Sequence, residues 1–142
     1  MQYTLGKEER LKSKKLIEQL FAEGKHVKAY PFRLIYLPIK HDAKSLVKSG
    51  FVVPKRNVKL AVNRNRIKRL MREVYRKNKH SFTESLNEPY IFMFIYMAKD
   101  EINYIDLEVS LKKVCAKFHT KIKEDETSIL KGLSSNKKAN SE

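Results

Sequence analysis

Ala61-Val62-Asn63-Arg64-Asn65-Arg66-Ile67-Lys68-Arg69-Leu70-Met71-Arg72-Glu73-Val74-Tyr75-Arg76 reads as one amphipathic helix. At about 100° per residue, Ile67, Leu70, Met71 and Val74 form an i, i+3, i+4, i+7 stripe that must face a core. Asn65, Lys68, Arg69, Arg72 and Arg76 gather on the opposite arc. One side is thereby anchored and the other presents cations, with Arg64 and Arg69 expected to project away from Ile67 and Leu70. Between Lys55 and Lys79 eleven Lys or Arg stand against the single acid Glu73, a local charge of +10 within a whole-chain +15. Fixed positive charge at that density suits the gripping of phosphate.

The elements on either side follow from this helix. Gly50–Val53 reads as a core strand that stops at Pro54, and Lys55–Lys59 is a basic loop leading into the helix. Beyond it, Tyr90–Met97 is continuously apolar and rich in β-formers, the pattern of a strand buried on both faces. If those two strands are parallel neighbours, the passage between them demands a crossover connection. Phe32–Leu37 alternates Arg33, Ile35 and Leu37 with Phe32, Leu34 and Tyr36, a strand with two usable faces, and Pro31 at its start favours a sheet-edge entry. His41–Ser45 is a polar connection. Ser13 caps a first helix of about three turns, striped by Leu16, Ile17, Leu20 and Phe21 and stopped by Gly24. Asn103 caps a final helix on which Leu107, Leu111, Val114, Cys115, Phe118 and Ile122 recur at helical spacing. The fold class is α+β, with helices packed on a small sheet. From Glu124 onward the sequence turns polar and rich in Ser, Asn and Lys, so a mobile tail is expected.

With 142 residues, 42% apolar and 33% charged, the chain fits one compact domain. Its excess charge attracts polyanions, nucleic acid first and an acidic membrane surface second. The longest apolar run, Tyr90–Ala98, is too short to span a bilayer, and Met1–Arg10 lacks the apolar stretch of a signal peptide. A cytoplasmic location and no membrane partner are expected. Cys115 is the only cysteine, which excludes an intrachain disulfide and a thiolate metal cluster and suits core packing. His26, His41, His80 and His119 are scattered without ligand spacing, so no protein-held metal is expected. Asp100-Glu101 and the pair Asp106 and Glu108 sit where a helix start favours negative charge. No Ser-His-Asp set, phosphate-cradling glycine loop or paired catalytic carboxylate is visible among only four glycines, so no catalytic side chain is assigned.

The spacing Arg64-Asn65-Arg66, then Lys68-Arg69, then Arg72 resembles the signature of the bacterial ribonuclease P protein component. With the first-helix pattern Leu16–Gly24 and the strand Gly50–Arg56, the resemblance covers roughly residues 5–122. It implies a mainly antiparallel sheet with three helices and a left-handed βαβ crossover, similar to a domain of a ribosomal protein. It divides the chain into a domain over 1–122 and a polar, disordered tail over 123–142. The implied function is the protein subunit of a ribonucleoprotein endonuclease, one that matures the 5′ end of tRNA. Its catalytic RNA performs the cutting with magnesium, and the protein itself holds no cofactor. Carried over by position, Arg64, Asn65, Arg66, Lys68, Arg69 and Arg72, with Lys55 and Arg56, would meet the catalytic RNA. Ile17, Phe21, Arg33 and Ile35 would line a cleft for the single-stranded leader of precursor tRNA. The family often carries aromatic residues at the positions of Ile17 and Ile35, which leaves Phe21 as the stacking platform. From the residues alone Phe21 reads more readily as a core ring, and Arg33 equally as a solvated edge charge. A structural, ribosome-associated RNA-binding protein is the alternative. A protein-only nuclease would need acidic metal ligands that the chain does not present.

Overall fold

A computed structural model of the chain describes residues 9–41, 46–84 and 86–140, with backbone alone over 126–140. In chain order the elements are α1 (Lys14–Glu23), β1 (Lys25–Ala29), β2 (Phe32–Pro38), β3 (Val47–Val52), α2 (Ala61–Thr83), β4 (Tyr90–Tyr96) and α3 (Tyr104–Asn140). Asp42–Ser45, most of the expected polar connection, lie outside the described residues, as do residues 1–8 and 141–142 of the two expected segments. The four strands form one sheet in the order β1-β2-β4-β3. β1 with β2 and β2 with β4 run antiparallel, whereas β3 and β4 are parallel neighbours joined through α2. The crossover required by the sequence is therefore present.

β4 dictates the layering. All seven of its residues are buried, so both faces of the sheet need cover. On one face Tyr90, Phe92, Phe94 and Tyr96 join Phe32, Leu34 and Tyr36 of β2, and the buried side chains of α2 and α3 close over them. The rings interlock: Phe118 of α3 meets Tyr36 edge-on at 5.0 Å and Phe92 at 5.1 Å between centroids, and Phe51 stacks on Phe94 at 5.5 Å. On the other face Ile35, Ile91, Met93 and Ile95 pack with Leu20 of α1 and with Leu11, flanked by Leu16 and Ile17. The alternation seen in Phe32–Leu37 thus divides between the two cores as expected.

α1 begins at Ser13, whose Oγ accepts from the Leu16 amide at 3.3 Å. It stops at Gly24, where the backbone turns extended and the amide donates to the Leu20 carbonyl at 2.7 Å, and only glycine fits the space. A Cβ there would collide with the Leu20 carbonyl and stand 2.6 Å from Ile35 Cγ2, while the glycine φ of −67° is open to any residue. Before α1, the segment Glu9–Leu11 straps onto the free edge of β3, with the Leu11 amide donating to Ser49 O at 2.8 Å. Lys79 of α2, only 7% exposed, grips the Glu9 carboxylate at 2.9 and 3.0 Å and fastens the strap to the opposite layer.

Several expectations need correction. β2 is an interior strand, because the unanticipated β1 pairs outside it. Pro31 occupies the β1–β2 turn, where its missing N–H lies outside the ladder, and its carbonyl accepts from Met97 N at 2.7 Å. β3 starts three residues earlier than Gly50, and α2 continues past Arg76 to Thr83, adding Phe82 to the core. Leu70 is partly buried where a full core position was expected. Helical backbone runs on to Asn140, and Asp125 pairs with Lys25 at 2.8 Å. No Gly or Pro interrupts Lys123–Lys131, and its Glu, Lys and Leu residues favour helix.

Breaking the strap should be costly. Lys79→Ala leaves Glu9 partly buried without its cation, and a loss of about 3 kcal/mol is expected, at the lower end for buried pairs because Glu9 keeps some access to water. Denaturant unfolding of the variant measures it, and a loss below about 1 kcal/mol would show the strap to be ornamental to the fold.

Candidate nucleic-acid interface

The cationic surface is built from the loop after β3 and the first turns of α2. Val53 and Val58 are buried and pin the loop, and the Pro54 carbonyl accepts from the amides of Asn57 and Val58, both at 3.1 Å. Asn57 Nδ2 ties the turn to the Tyr96 carbonyl at 3.2 Å. Held this way, the loop projects Lys55 and Arg56 into solvent. α2 then starts at Leu60 with no side-chain cap and no acid in its first turn, so its positive dipole end adds to the charge of the neighbouring side chains.

The signature residues do not act alike. Arg64 is half-buried, and its Nη1 donates to the carbonyls of Val58 at 3.0 Å and Lys59 at 2.7 Å. It clasps the loop to the helix, which corrects the expectation that it projects freely beside Arg69. The helical angle explains this: Arg64 and Lys68 fall on the flank of the buried stripe, not opposite it. Arg66 lies 3.8 Å from Glu101, an exposed pair of small energetic weight. Arg76 bonds Glu73, which holds that carboxyl below the usual carboxylate range. Among the described residues Asn65, Lys68, Arg69 and Arg72 have no acid or carbonyl partner on their side chains, and Asn65, Arg69 and Arg72 are exposed. These are the groups left to meet an external anion.

The four residues expected to line a cleft beside α1 separate similarly. Ile35 is 2% exposed under α1 and packs against the position of Gly24, so it belongs to the core and cannot stack on a base. Ile17 is half-buried against that core, whereas Phe21, one turn further, is 50% exposed at the flank of α1. Arg33 shares the sheet face of Ile35, and its Nε donates to Nδ1 of His26 at 3.0 Å. Partial desolvation, then the charges of Arg33 and Lys28, hold His26 below its ordinary pKa. Arg33 and Phe21 are thus the reachable members.

Other polar groups serve the scaffold. Asn103 Oδ1 accepts from the Asp106 amide at 2.9 Å, capping α3 as expected. Glu108 receives Asn78 Nδ2 at 3.1 Å across the α2–α3 interface. Cys115 is buried, and that burial pushes its thiol up to about 11. Among the described residues no three His, Cys, Asp or Glu converge as metal ligands. Sequence reasoning missed the carbonyl-binding role of Arg64, whose only signal was its angle on the helix, and the cations of β1, hidden in a strand too short to announce itself.

Residues 5–119 match the family model described as Ribonuclease P. The chain is 42% identical over 96 residues to the ribonuclease P protein component of Porphyromonas gingivalis, a match covering 66% of this chain and 68% of that one. It is 46% identical over 79 residues to that of Chlorobium phaeobacteroides, covering 54% of each. In fold it is similar to the RNase P protein of Thermotoga maritima, with a TM-score of 0.61 at 22% identity over 77% of this chain and 96% of that one. The Staphylococcus aureus RNase P protein gives 0.58 at 24% identity, over 75% and 91%.

The contrast between Arg64 and Arg69 is open to measurement. Arg64→Ala should lower stability by about 1.5–3 kcal/mol through loss of charged hydrogen bonds to the loop carbonyls. Arg69→Ala should leave unfolding within about 0.5 kcal/mol of the parent. Equal midpoints for the two variants in thermal unfolding would remove the clasp.

Proposed function

The chain belongs to the ribonuclease P protein family, and we propose that as the protein subunit of that enzyme it grips the catalytic RNA with the solvent arc of α2 and the loop before it. The observation that carries this reading is the set Asn65, Lys68, Arg69 and Arg72, unpaired among the described residues and raised on a helix whose opposite face is locked into the core. Arginine can bridge phosphate oxygens with its planar fork, and asparagine can bond sugar or base, so the arc suits a folded RNA surface. Lys55 and Arg56 extend it along the loop.

In the same reading the single-stranded 5′ leader of precursor tRNA lies beside α1, with Phe21 as a stacking surface and Arg33 as a phosphate ligand. The polypeptide supplies affinity and position, and the RNA cuts the bond. Among the described residues no three His, Cys, Asp or Glu converge as metal ligands, and in this proposal the magnesium ion is held by the RNA. No helix among the described residues is long and apolar enough to cross a membrane, and the working compartment in this proposal is the cytoplasm.

Reconstitution with a ribonuclease P RNA tests the assignment. Adding the protein should lower the magnesium needed to cleave precursor tRNA, and an unchanged requirement would favour a purely structural RNA-binding role. Arg69→Ala combined with Arg72→Ala should weaken assembly with the catalytic RNA and flatten the plot of log affinity against log salt by about 0.9 for each phosphate no longer neutralised. Unaltered slopes would sink the α2 interface.

For the cleft, Phe21→Ala should reduce the preference for precursor over mature tRNA by about 1–3 kcal/mol, the usual worth of one stacked base. Affinity for the catalytic RNA should be untouched. Equal losses for the two tRNAs, or a plain drop in melting temperature, would assign Phe21 to packing alone.

A further inference from the structure

At the sheet edge away from β3, β1 and α3 border an open groove of about 560 Å³ lined by the apolar Val27 and Ala116 together with His26, Lys28, Lys117, Thr120, Lys121 and Glu124. Its cations come from two elements that packing brings together. Lys117 Nζ donates to the Lys28 carbonyl at 2.6 Å, which holds this ammonium against the edge strand. Lys121 stands one helical turn further along α3. Like charges at that spacing oppose helix formation, so Lys121 beside Lys117 adds nothing to the stability of α3. The ammonium groups of Lys28 and Lys121 have no partner among the described residues. Lys25, two residues before Val27 on the same strand, is by contrast neutralised by Asp125 at 2.8 Å, and with Glu124 this marks the acidic end of the groove.

The register shows where the groove leads. His26 pairs with Ile35 and Lys28 with Arg33, so His26 and Lys28 share the sheet face that α1 covers. Arg33 Nε reaches His26 Nδ1 at 3.0 Å. A line of cations therefore runs from Arg33 beside α1, past His26 at the β1 edge to Lys28, and on to Lys117 and Lys121. The turn occurs within about two strand spacings, on the order of 10 Å. A chain of phosphates that bends so sharply must be flexible, which favours a single strand over a stiff A-form helix.

We infer that the β1–α3 groove is a second phosphate track, which carries single-stranded RNA onward from the α1 cleft around the sheet edge. The inference rests on the reading that the leader of precursor tRNA lies beside α1. It assigns the distal part of that leader to Lys28 and Lys121, with Lys117 as the fixed post between them.

The test uses the reconstituted ribonucleoprotein carrying Lys28→Gln and Lys121→Gln, with two precursor tRNAs. One has a leader long enough to pass the sheet edge and the other a leader truncated beside the cleavage position. The long-leader substrate should lose about fivefold to tenfold in affinity, with a salt slope flatter by about 1.4, or 0.7 for each of two single-strand phosphates. The short-leader substrate should bind as it does to the parent, and Lys28→Arg with Lys121→Arg should restore the long-leader affinity. Equal losses for both substrates, or none for either, would overturn the track while leaving the α1 cleft standing. A parent complex that fails to prefer either precursor over mature tRNA would remove the cleft and the track together. Thermal unfolding of the Gln variant should match the parent, and a lowered midpoint accompanied by loss on both substrates would assign Lys28 and Lys121 to the fold.

Discussion

Seven consecutive buried residues, Tyr90–Tyr96, form an interior strand that cannot be solvated on either face, and every other element answers to that demand. Burial of large apolar and aromatic side chains is the main favourable term in folding, and a strand of this kind recruits one layer of helix to each side. The aromatic face takes α2 and α3, whose rings close over Phe92 and Phe94. The aliphatic face takes α1, a helix of ten residues, with the Glu9–Leu11 strap beside it. Cover is therefore unequal. Two long helices seal one face, while on the other a short helix leaves Arg33 and the flank of Phe21 within reach of solvent.

The same constraint positions the charge. Because β3 and β4 are parallel neighbours, the chain between them must return along the full length of the strands over one face of the sheet, and α2 is that return. Its stripe of Ile67, Met71, Val74 and Phe82 is inserted in the core, so its opposite arc is fixed in orientation with little freedom to swing. The cations of this helix differ in what they meet. Arg64 is held by two loop carbonyls, Lys79 by Glu9 and Arg76 by Glu73. Arg69 and Arg72 on the outer arc find no partner among the described residues, and they stand on a helix fixed in orientation, which lowers the cost of bringing them to a ligand.

Strong periodicity made most of the fold legible in the sequence. The apolar run of β4, the stripes of α2 and α3, the Ser13 and Asn103 caps and the two-faced β2 were all readable, because each repeats a physical signal over several residues. β1 was not, since only Val27 and Ala29 of its five residues point into the core and its existence depends on pairing with β2. That omission made β2 look like an edge. The site was legible at the level of residue type and helix face, but local spacing does not reveal which side chains are already engaged. Arg64 and Arg69 look alike in sequence and differ in structure because a carbonyl pair from a preceding loop lies beside one of them. Ile35 and Phe21 were likewise grouped together, yet the close approach of α1 at Gly24 buries the first and leaves the second half exposed.

A net charge of +15 on a chain of 142 residues is a burden on the compact state, because like charges repel more strongly when folding brings them together. The paired basic residues reduce the burden locally, through Lys79 with Glu9, Arg76 with Glu73 and Lys25 with Asp125. Lys68, Arg69 and Arg72 of α2 and the ammoniums of Lys28 and Lys121 at the β1 edge have no such relief among the described residues. A polyanion that meets them in the folded state removes repulsion that the unfolded chain, more extended, suffers less. Binding and folding are then linked in sign: RNA that engages these surfaces stabilises the native protein, by an amount that grows with RNA concentration and shrinks with salt. The charge that strains the isolated chain is thus the same charge that ties its stability to its partner.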